Sequence, residues 1–122
     1  MMKYMLLIYD NADTRDLFFG PEGKGLGEEI EVLMAELTAS GELVGGEALA
    51  SPEQTRSIRP RDGVPVVTDG PLAEAKEHFG GYLIVDCETP ERATEIASRW
   101  PNARFAAMEV RPIMSVGSGQ EM

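Results

Sequence analysis

The chain has 122 residues, 43% hydrophobic and 26% charged, a length and balance that fit one globular domain and exclude two. A net charge of -10 with 11 Lys and Arg argues against nucleic acid and against an anionic membrane surface, since both need a basic footprint. The single cysteine, Cys87, permits no intrachain disulfide and reads as a buried, inert thiol.

Lys3 to Tyr9 (KYMLLIY) is a short apolar run closed by Asp10-Asn11, and it predicts a strand buried on both faces. The run is too short for a signal-peptide core and no stretch approaches a membrane span, so a cytoplasmic protein is expected. Residues 10–25 are rich in Gly, Asp and Pro and read as a loop, with Leu17, Phe18 and Phe19 as a local anchor. Leu26, Ile30, Leu33, Met34 and Leu37 then recur at helical spacing and predict a helix over 26–40, stopped at Ser40-Gly41.

Glu42 to Ala50 reads as a second strand, bulged at Gly45-Gly46. Thr55 to Arg59 and Val64 to Thr68 flank Pro60-Arg61-Asp62-Gly63 and predict an inserted β-hairpin. Asp69-Gly70-Pro71 is a turn, and residues 72–77 are too few for an independent helix. Tyr82 to Cys87 is the second strongly apolar strand, entered through Gly80-Gly81. Thr89 as N-cap, Pro90 and Glu91 open a second helix whose apolar stripe is Ala93, Ile96, Ala97 and Trp100, with Pro101 ending it. Arg104 to Pro112 is the last strand, with Phe105, Ala107, Glu109 and Arg111 on one face. Residues 1–114 therefore form the domain, and 115–122 read as a loose tail.

This order is that of a ferredoxin-like α+β fold, βαββαβ with the hairpin inserted, in which the first and third main strands are central. Those are the two most apolar strands. Two helices roof only one face of the sheet, and the other face would expose a large apolar patch. A homodimer packed through that face is expected in preference to a monomer whose hairpin covers it.

Asp69 is the leading candidate for chemistry: a carboxylate at a Gly-Pro turn acts as a general base when partly desolvated, or else caps the turn it sits in. His78, the only histidine, carries a side chain suited to proton transfer and lies across a turn from Asp69. Gly70 and Pro71 fix the bend beside Asp69 and are candidate binding positions. Glu74 and Lys76 line a cleft or are surface charges. Arg111 pairs with Glu109 across a dimer seam or binds an acid. One histidine argues against a metal site, the glycines at 20–27 lack a phosphate-loop pattern, and no cofactor is expected.

The segment Val67 to Asp86 (VTDGPLAEAKEHFGGYLIVD) resembles the signature of the YCII-related family, in the branch marked by an Asp-Gly-Pro-Phe motif. Here that motif stands as Asp69-Gly70-Pro71-Leu72, with Leu in place of Phe. KYMLLIY (Lys3 to Tyr9), LVGGEAL (Leu43 to Leu49) and MEVRPIM (Met108 to Met114) are also similar, so the resemblance spans nearly the whole chain. It implies a dimeric α+β barrel and genetic association with alternative sigma factors of the extracytoplasmic-function type. It also implies, for one branch, a His-Asp pair whose His lies near the start of the first helix. This chain has no histidine there, and any such pair would need His78.

Two functions remain open on these residues. One is a cofactor-free small-molecule enzyme or ligand-binding protein, with isomerase- or lyase-like proton transfer. The other is a non-enzymatic regulatory module that binds a protein partner.

Overall fold

In a computed structural model the described residues are 2–72 and 75–114. Four strands, β1 (Met2–Asp10), β2 (Leu43–Ala48), β5 (His78–Cys87) and β6 (Ala107–Pro112), form one sheet in the order β2-β5-β1-β6, antiparallel at every pairing. The two most apolar strands are the central ones, in an α+β arrangement consistent with the ferredoxin-like expectation. Burial alternates along both: Tyr4, Leu6 and Ile8 of β1 and Leu83, Val85 and Cys87 of β5 are buried. The register sets Tyr4 against Val85 and Leu6 against Leu83, so these residues share one face.

Helices α2 (Gly23–Ser40) and α3 (Pro90–Arg99) cover that face. Leu33 and Leu37 of the first, with Ala93, Ile96 and Ala97 of the second, complete the same core as the strands. Thr89 accepts from the Arg92 N–H and caps α3, as its sequence predicts, and Gly41 ends α2 with a left-handed φ of 79°. A bidentate ion pair ties the edges together: Arg92 Nε and Nη2 each donate to Glu42 at 2.8 Å. It holds the Glu42 carboxyl down to about 2.

Three elements depart from the sequence expectation. Residues expected as loop form a helix, α1 (Ala12–Phe19), because Asn11 caps it and bonds across the fold: its Oδ1 accepts from Thr14 N at 2.8 Å and its Nδ2 donates to the Phe105 carbonyl at 3.3 Å. Strand β5 starts at His78 rather than Tyr82, because His78 and Phe79 pair with Asp10 and Tyr9 past a register shift at Ile8/Tyr9. A short helix, α4 (Asn102–Phe105), takes the residues expected to begin the last strand, which removes Phe105 from the face of Glu109 and Arg111.

Between β2 and β5 the chain pairs β3 (Arg56–Arg61) with β4 (Val64–Asp69) as a separate two-stranded sheet. Asp62 and Gly63 link them with φ of 51° and 79°, the geometry of a tight type I′ turn. Ile58, Val64 and Val67 stay exposed, so this ribbon does not bury its apolar side chains against the domain. On the helix-free face of the main sheet, Met5, Leu7, Tyr82 and Ile84 are half-buried. No described helix is long and apolar enough to cross a membrane.

Candidate functional site

The polar groups that face concave surface lie where β1 ends and β5 begins. Asp10, the last residue of β1, is register partner of His78, the first of β5. Asn102, buried at the start of α4, donates its Nδ2 to the Tyr9 carbonyl and to Asp10 Oδ1, 2.8 Å each, and so fixes the Asp10 carboxylate. Gly80 makes room for it: a Cβ there would fall 2.1 Å from Asp10 Oδ2. On the opposite rim, Arg15 of α1 donates from Nη1 to Ser51 Oγ at 3.2 Å.

Two cavities open beside these groups. The first, about 560 Å³, lies between the helices and the sheet, with Ile8, Phe18, Ile30, Met34, Leu83 and Trp100 as apolar walls and Asp10, Arg15, Glu47, Ser51 and Asn102 as its polar side chains. Its size is that of a small-molecule site. The second, about 670 Å³, lies under the base of β3 and β4, where Ser57, Pro71, His78 and Phe79 contribute. A hollow of about 40 Å³ sits between, sharing Asp10, Arg15 and Gly80 with the first and Pro52, His78 and Phe79 with the second. Asp10 and His78 therefore both line the small hollow, Asp10 lining the first chamber as well and His78 the second.

The residues that the sequence singles out are scattered by comparison. Asp69 is exposed at the end of β4, opposite Arg56, and lines neither chamber. Nor does it line the small hollow that His78 shares with Asp10. The Gly70 turn (φ 91°) is held by Ser57, whose Oγ donates to the Gly70 carbonyl at 2.6 Å, and by the Gly70 N–H bonded to Thr55 O at 2.7 Å. Pro71 lines the second chamber, and Lys76 is exposed. Glu74 lies outside the described residues, as does the expected tail at 115–122. Arg111 belongs to the helix-free face, opposite Met5 on β1.

Glu109 accepts a hydrogen bond from the Tyr9 hydroxyl, which pushes that phenol above its ordinary range. Tyr9 also meets Phe79 edge to face, with ring centroids 5.9 Å apart. Cys87 is buried and its thiol is pushed up by that burial, the state of a structural rather than a reactive cysteine. Among the described residues no group of three His, Cys, Asp or Glu is placed to hold a metal ion.

Asp10, Arg15, Ser51 and Asn102 were absent from the sequence-based candidates. Asp10 ends the first apolar run and was visible only as a strand terminator. Arg15 sits in a segment with no strong helical period. Their proximity depends on α1 and on the register of β1 with β5.

A model of the YCII-related domain matches residues 2–116 of this chain. An uncharacterized protein of Rhizobium meliloti (strain 1021) is 25% identical over 121 residues, which cover 98% of this chain and 98% of that protein.

Proposed function

This chain belongs to the YCII-related family, whose matched relative is itself uncharacterized, and from that premise we propose that it binds a small molecule in the helix-roofed chamber and moves a proton on it. The observation that carries this reading is that Asp10 lines the apolar chamber of about 560 Å³ and shares with His78 a small hollow beside it. A carboxylate pinned by Asn102 is a fixed proton acceptor, and an imidazole can pass a proton in either direction. Such a pair performs isomerase- or lyase-like chemistry without a cofactor. Asp10 takes the role that the sequence offered to Asp69, and His78 keeps its own.

Deuterium incorporation from D₂O into a panel of small enones and β-keto acids tests this reading. Wild type should label at least one compound, Asp10→Asn and His78→Gln should abolish the labelling, and Asp69→Asn should keep it. Labelling that survives Asp10→Asn overturns the assignment.

The motif Asp69-Gly70-Pro71-Leu72 supports placing the chain in the Asp-Gly-Pro-Phe branch of the family. A twofold homodimer through the helix-free face is part of the same proposal. Met5, Leu7, Tyr82 and Ile84 supply its apolar centre, and the β3–β4 ribbon, with Ile58 and Val67 exposed, supplies an arm that a second copy would cover. A reduced lone cysteine suits a cytoplasmic setting. The same exposed ribbon is the one feature that supports the second reading, a regulatory module for another protein, and we place it behind the first.

A further inference from the structure

We propose that the ligand of the first chamber is a monocarboxylate with an apolar body, its carboxylate on Arg15 and its body against Phe18, Met34 and Trp100. This rests on the reading of that chamber as a ligand site and adds the ligand's charge and shape. Among the described residues Arg56, Arg59, Arg61 and Arg111 are exposed arginines without an ion pair, while Arg92, Arg99 and Arg104 are each paired with a glutamate.

Arg15 is not. It is half-buried on the rim of the chamber, and among the described residues its side chain bonds Ser51 Oγ, with no carboxylate in ion-pairing distance. Of the two acids that line the chamber, Glu47 is exposed and Asp10 is turned aside, with Oδ1 on Asn102 and Oδ2 over Gly80. A guanidinium left with free donors at the mouth of an apolar cavity selects a planar anion, which it meets with two parallel hydrogen bonds. The walls then select what the anion is attached to. Apart from this contact the acidic chain repels anions, so anion preference at this one site is a specific outcome.

Trp100 is the only tryptophan and it lines the chamber, so its emission reports occupancy directly. The full chain is titrated with octanoate and, separately, with 1-octanol, which matches it in chain length without the charge. Octanoate is expected to change Trp100 emission in a saturable way and to bind at least tenfold more tightly than 1-octanol. Arg15→Met should weaken octanoate by roughly tenfold or more and leave 1-octanol unchanged, while Arg15→Lys should recover part of the loss. Unaltered melting temperatures in both variants separate lost binding from lost folding. Equal binding of the two probes, or octanoate binding indifferent to Arg15, overturns the carboxylate assignment and leaves the chamber as a ligand site. No response of Trp100 to either probe removes the chamber reading along with it.

Discussion

The Asp10 carboxylate fills the space that a side chain on Gly80 would take: an added Cβ would stand 2.1 Å from Asp10 Oδ2. The two residues lie on neighbouring strands beside a register shift, and the missing Cβ lets the acid fold over the β5 backbone toward Asn102. A close approach of this kind is a positional requirement for glycine.

Gly80→Ala is therefore expected to swing Asp10 off Asn102 at a modest cost, about 1 kcal/mol, because the clash is with the end of a movable side chain. Gly46→Ala should cost more, about 1–3 kcal/mol, since its Cβ would meet the Tyr82 carbonyl oxygen at 2.4 Å and backbone cannot step aside. Urea denaturation of the two variants checks the order. A larger loss for Gly80→Ala would show that the Asp10–Asn102 bond is structural before it is functional.

Glu42 makes stability depend on pH. Folding lowers its carboxyl to about 2 from an unfolded value of about 4.3, through the bidentate bond from Arg92. A depressed acid stabilises the fold above its unfolded pKa and loses that contribution as pH falls through its folded one. The pair should contribute about 2 kcal/mol at neutral pH, after allowance for the partial exposure of Arg92, and lose it between about pH 4.3 and 2. Glu42→Gln should melt earlier at pH 7 and show a flatter acid limb below pH 4.3, read by circular dichroism.

Asn11 holds α1 in place from both ends of its amide. Its oxygen accepts from Thr14 N and Oγ1, at 2.8 and 2.7 Å, and its nitrogen reaches the Phe105 carbonyl. Asn11→Ala should cost about 2 kcal/mol and move Arg15 and Phe18 off the chamber. Asn11→Asp keeps the cap, loses only the donor to Phe105, and should fall between the two in thermal melts.

Leu7 lies near the centre of the helix-free face, opposite Tyr82 on one side and Glu109 on the other. If a second copy covers that face, Leu7→Glu sets a second carboxylate beside Glu109 at the seam and should convert a dimer to a monomer in light scattering. A wild-type chain that already scatters as a monomer would refute the dimer.

The strands and the two long helices were legible in the sequence because each carries its own period. KYMLLIY and YLIVDC are apolar enough to demand the centre of a sheet, and the sheet order agrees. Thr89 and Pro90 announce α3 with local chemistry alone. Helix α1 was not legible: in ADTRDLFF only Thr14 is buried, and the residue that caps the helix is also bonded to Phe105, far along the chain.

Local periodicity and capping thus determined the main strands, the two long helices, their order and the core, since those depend on side chains a few positions apart. The candidate site is of another kind. Asp10 meets His78 through a register set by one irregularity at Ile8/Tyr9, Asn102 reaches Asp10 across the fold, and Arg15 faces the same cavity only because α1 docks there. Those distances follow from how packed elements close on one another, and only the tertiary structure decided them.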